Sequence, residues 1–145
     1  MSIPPLKYGG TERVLWALYQ GQKELGHDVK FLTKYDNRHP DAILYNPNQS
    51  LESQVEGWAD IIHFHFLYRG ELKTPFVCTT HNQQITPATF PKNTIFLGEL
   101  HAKRSGGSAY VYNGLYWADY GEPNLNKSKS KYVHFLANAK YKDKN

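Results

Sequence analysis

Cysteine occurs once in the 145 residues, so no disulfide can form within the chain. That residue, Cys78, lies in the apolar run Phe76-Val77-Cys78 and reads as a buried structural thiol rather than a nucleophile. No apolar run approaches the roughly 18 residues of a membrane helix, and the opening Met-Ser-Ile-Pro-Pro has neither the basic start nor the apolar stretch of a secretory leader. A soluble, cytoplasmic protein is expected. Also missing is any Asp-x-Asp pair that could bridge a metal to a diphosphate, and no cysteine or carboxylate stands at ligand spacing from His63 and His65, so neither metal nor cofactor is expected. The formal charge of +4 owes much to Lys127, Lys129, Lys131, Lys140, Lys142 and Lys144 near the C-terminus. No nucleic-acid motif or interleaved aromatic platform accompanies those lysines; they read as a solvated linker, and nucleic acid is not an expected partner.

What remains alternates between two periodicities. Val14, Leu15, Leu18 and Leu25 share one helical face over Thr11–Leu25, with Thr11 as a candidate cap, Glu12 in the first turn and Gly26 as the stop. A strand over 28–33 follows, then a polar segment from Tyr35 to Ser50 without a period, which reads as loop. A weak helix over 51–59 leads into Asp60-Ile61-Ile62-His63-Phe64-His65-Phe66, a run suited to a buried parallel strand. Further strands are expected over 76–80, 94–97 and 109–112, with a short helix over 99–104. Such alternation predicts an α/β fold, doubly wound around a mainly parallel sheet, in which ligands bind beyond the carboxyl ends of the strands.

Candidate chemistry gathers at three places. Gly9 and Gly10 stand immediately before the first helix, where glycine permits close backbone approach and free N–H groups attract phosphate or hydroxyl oxygens, although a tight turn is the plainer use of the pair. His63 and His65, two residues apart on a strand, point to one face; a packed, hydrogen-bonded role and a polar role at the strand's end are both open. His81 follows the apolar strand that ends in Thr79-Thr80. The aromatic group Tyr110, Tyr112, Tyr116, Trp117 and Tyr120 is dense enough to pack beneath a loop rather than to stack on sugars.

Several strings together resemble a known family. Pro4-Pro5-Leu6-Lys7-Tyr8-Gly9-Gly10-Thr11-Glu12-Arg13-Val14, Gly26-His27-Asp28-Val29, Asp60-Ile61-Ile62-His63, Thr79-Thr80-His81-Asn82 and Tyr110-Val111-Tyr112-Asn113-Gly114-Leu115 look like the N-terminal domain of the family-four retaining glycosyltransferases, in order and at about its spacings. The resemblance implies an enzyme of two Rossmann-like domains, the first holding mostly the acceptor and the second binding a nucleotide sugar. Carried over position by position, it implies substrate-binding roles for Tyr8, Gly9, Gly10, Thr11, His65, Asn82 and Asn113, and a catalytic role for His81 facing the transferring sugar. Asn113-Gly114 is also a turn signal in its own right. The implied partners are a nucleotide sugar and a carbohydrate or lipid-linked acceptor.

Two departures shape the expectation. Only Met1, Ser2 and Ile3 stand before Pro4, where the family places its first strand, so that strand is expected to be absent. Residues 127–145 resemble a linker and the opening strand of the donor domain, Tyr132-Val133-His134-Phe135-Leu136-Ala137, without the basic and acidic residues that hold the donor. The expectation is an acceptor domain over 1–126, inactive alone and dependent on a C-terminal donor domain, with dimerisation through an exposed sheet position. A non-catalytic glycan- or protein-binding module on the same fold is the alternative.

Overall fold

The computed structural model describes residues 3–5, 9–34, 39–81 and 89–122. Tyr8, Asn82, the linker and the strand expected over 132–137 lie outside the described residues. The protein is a mixed α/β structure with two small parallel sheets.

Helix α1 runs over Gly10–Glu24. Its N-cap is Gly9, in extended backbone and without a side-chain cap, so Thr11 lies inside the first turn and does not cap the helix as expected. At the other end Gly26, at φ +86°, stops it as expected. The Gly26 N–H donates to the Lys23 carbonyl and the His27 N–H to the Gln22 carbonyl, pairing the last carbonyls in the double bond of a Schellman turn. Leu25 is not on the inward stripe: it is the C-cap residue and 78% exposed. Tyr19 is the buried residue of α1 instead.

Strand β1 (Phe31–Thr33) pairs in parallel with β2 (Ala42–Leu44). The second strand falls inside the segment expected to be loop. Its three residues are too few to display a period against the polar and proline-containing flanks. Tyr19 from α1 stacks on Trp16 and tilts against Phe31, with ring centroids 5.2 and 4.9 Å apart, and the His39 ring meets all three edge-on. The Tyr19 hydroxyl donates to Asp41 Oδ2 at 2.6 Å, tying helix to sheet at the turn that launches β2. Burial, with that bond, raises the phenol to about 12, while the same bond lowers the Asp41 carboxyl.

Short helix α2 (Leu51–Val55) is capped by Ser50, whose Oγ accepts from the Ser53 N–H. Its Glu52 carboxylate accepts from the Lys73 and Thr74 amides and the Thr74 hydroxyl, fixing the approach to the next strand pair. Those three donors hold the Glu52 carboxyl below its usual range. Strands β3 (Ile62–Phe64), β4 (Phe76–Thr79) and β5 (Thr94–Ile95) form the second sheet in the order β3-β4-β5, all parallel. Phe96 extends it by a single parallel bridge to Tyr110, the remnant of the strand expected over 109–112.

The core of this half is Phe64, Cys78 and Phe96, with Ala102 from α3 (Glu99–Arg104) closing one face. Cys78 is fully buried, as its setting predicts. Tyr110, Tyr112 and Trp117, by contrast, are 41, 67 and 62% exposed, so this aromatic group does not pack beneath a loop.

The chain turns beside Phe96 with no room to spare. A Cβ on Gly107 would lie 2.3 Å from Phe96 Cε2, and Phe96 is only 1% exposed. Replacing Gly107 by Ala should therefore cost about 1–3 kcal/mol by overpacking. Urea unfolding measures this, and an unchanged midpoint would mean the Phe96 ring has space to move.

Candidate functional site

In a parallel sheet the residues that follow each strand emerge at one edge, where a ligand can reach them. His65 follows β3 directly, and His81 follows β4 after Thr80. Adjacent strands bring the two together: His65 Nδ1 and His81 Nε2 are 2.9 Å apart and their rings lie 27° from parallel. One strand position earlier, His63 repeats the arrangement. Its Nε2 is 2.7 Å from the Thr79 hydroxyl, and its ring stacks on His65 with centroids 4.2 Å apart.

Both polar contacts run along the same diagonal of the β3–β4 pair. The register sets His63 opposite Val77 and Phe64 opposite Cys78, while the imidazoles reach one pleat further, to Thr79 and His81. Alternation puts His63 and His65 on a common face, as expected, and turns Phe64 between them inward to the core.

Burial decides their charge. Desolvation is the main cause of a lowered proton affinity in all three rings, and it pushes His65 down to about 3 from the ordinary 6.5, with the neighbouring imidazoles adding like-charge repulsion. At neutral pH the group is uncharged. A hydrogen bond between two neutral imidazoles needs one donor and one acceptor, so the tautomer of His65 dictates that of His81. The remaining nitrogen of His81, Nδ1, then either donates or accepts, and both senses suit a sugar hydroxyl.

His81 also lines an open cleft of about 290 Å³ together with Leu97, Leu100, His101 and Arg104. Sequence reasoning did not single out these last four. The signal was available in the strand order, since α3 begins just after β5 and β5 adjoins β4, so its side chains fall beside whatever follows β4.

The other expected site residues are elsewhere. Gly9, Gly10 and Thr11 form the start of α1, and Asn113 is exposed in the segment after Tyr110. Among the described residues, no hydrogen bond or ring contact joins these four to the histidines. No group of three or more His, Cys, Asp or Glu among the described residues is placed to hold a metal ion, and no described helix is long and apolar enough to cross a membrane. Comparison with protein-family models, curated proteins and solved structures finds no match for the chain.

The lowered histidines make a pH prediction whose sign is fixed. The unfolded chain takes up protons near 6.5 that folded His65 refuses until about 3, so stability should be complete above 6.5 and fall as pH drops below it. The slope is about 1.4 kcal/mol per pH unit for each proton taken up. Between pH 6.5 and 5, above the ordinary range of carboxylates, His65→Gln should flatten the fall. Urea midpoints across that window check it.

Proposed function

We propose that this chain forms the acceptor-side part of a retaining glycosyltransferase that uses a nucleotide-sugar donor. The observation that carries the proposal is the His65–His81 pair at the carboxyl ends of neighbouring parallel strands, opening on a cleft. Neutral, hydrogen-bonded imidazoles suit recognition of sugar hydroxyls and stabilisation of charge on a departing oxygen, without the cost of a buried ion. His81 is the residue assigned to the transferring sugar, with His65 orienting its ring.

A doubly wound architecture is part of the same proposal. Removing the first strand from a doubly wound sheet of order 3-2-1-4-5-6 leaves a pair, 3-2, and a triplet, 4-5-6. The sheets β2-β1 and β3-β4-β5 correspond to such a pair and triplet. Gly9 and Gly10 at the start of α1 would then stand at the first crossover and meet donor phosphates or acceptor hydroxyls, with the nucleotide sugar itself held by a second domain.

Two experiments test the proposal. In the polypeptide that contains this chain and a donor-binding domain, transfer from labelled UDP- and GDP-sugars should fall about 10²–10⁴-fold for His81→Ala, a much larger loss than the variant's loss of stability. Unchanged turnover would remove His81 from the reaction, and glycan binding without transfer would favour a binding module. Separately, β3 has one strand partner among the described residues, and a strand with an open edge can accept another. The 145-residue chain should dimerise as concentration rises; sedimentation as a single monomeric species at high concentration would oppose strand borrowing.

A further inference from the structure

The cleft beside His81 carries a charge of α3 that has no partner on the helix. On this helix Lys103 Nζ lies 2.7 Å from Glu99 Oε1, one turn away, so those two charges answer each other. Arg104, the next residue, is exposed and forms no ion pair among the described residues. It lines the cleft, and no carboxylate among the described residues does.

The remaining wall combines apolar and hydrogen-bonding groups. Leu97 and Leu100 supply apolar surface, and Leu100 stays 59% exposed. His101 is held edge-on to Phe96, and its Nδ1 accepts the Leu97 N–H at 3.5 Å. That leaves Nε2 as the N–H donor, a buried atom with no partner among the described residues. At about 290 Å³ the cleft lies at the lower end of ligand-pocket sizes, the scale of one sugar rather than of a whole nucleotide sugar.

We propose that this cleft binds a sugar carrying a phosphate group, with Arg104 as counter-charge to the phosphate, His81 as the hydrogen-bonding group for its oxygens, and Leu100 against the apolar face of the ring. The proposal rests on the acceptor-side reading and narrows it: the acceptor is an anionic sugar. A planar guanidinium presents paired N–H groups that match two phosphate oxygens, which a neutral hydroxyl cannot exploit. The apolar wall explains why phosphate alone would be a poorer ligand than a phosphorylated sugar.

Titration of the ¹⁵N-labelled chain with glucose 6-phosphate, glucose and inorganic phosphate tests this directly. Glucose 6-phosphate should shift the amides of Leu97–Arg104 and His81, and should bind at least about tenfold more tightly than either glucose or phosphate. Arg104→Gln should weaken it at least about tenfold, and Arg104→Lys less, since a lysine keeps the charge and loses the fork. Arg104 makes no ion pair among the described residues, so the thermal midpoint of both variants should match that of the parent, separating lost binding from lost fold. Equal affinity for glucose would overturn recognition of charge. Equal affinity for inorganic phosphate would reduce the site to an adventitious ion only, and indifference to Arg104→Gln, or no binding of glucose 6-phosphate, would overturn the assignment. These outcomes are read by binding alone, whereas the glycosyltransferase proposal is judged by transfer, so either can fail while the other stands.

Discussion

The parallel pairing of β3 with β4 is the constraint on which the candidate site depends. Its register places Phe64 beside Cys78 in the core and, on the opposite face, lets His63 reach Thr79 and His65 reach His81. Because side chains alternate, a slip of one residue would turn His63 and His65 inward and Phe64 outward. The apolar packing of Phe64, Cys78 and Phe96 therefore does more than stabilise the sheet: it selects the one register in which the imidazoles meet. Glu52 guards the same register from outside, holding the amides of Lys73 and Thr74 just ahead of β4.

Beside that sheet a second cluster packs on the β1–β2 pair. Tyr19, Trp16, Phe31 and His39 form an aromatic knot between α1 and β1–β2, closed by the Tyr19–Asp41 bond. Among the described residues, contacts with the β3–β5 half include Lys30 over the Trp58 ring, Gln54 bonded to Asn46, and the Tyr116 hydroxyl donating to Glu24. Each of these links includes a charged or amide group near the surface, where such pairs contribute little.

Much of this arrangement was legible in the residues. The run from Asp60 to Phe66 announced a buried strand, Phe76–Thr80 a second, and Gly26 the end of α1, because each rests on a local rule: apolar continuity or a backbone angle that glycine reaches freely. Alternation also put His63 and His65 on one face. Where sequence reasoning missed, the deciding force was not local. Three residues at Ala42–Leu44 become a strand because β1 offers a partner, and Tyr19 rather than Leu25 is buried because Asp41 and Phe31 come to meet it. The approach of His65 to His81 and the gathering of Leu100, His101 and Arg104 beside them required knowing that β5 adjoins β4, which no period along the chain reveals.

Cys78 lies in the central strand of the β3–β5 sheet and has no accessible surface. Being the only sulfhydryl in the chain, it makes the sheet its own reporter. A thiol reagent can reach it only when β4 parts from its neighbours, so the rate of alkylation under native conditions counts the openings of the strand pair that carries the histidines. Whatever ligand rests against those histidines and holds the strands together will slow that reaction in proportion to its affinity, without any label having to be introduced.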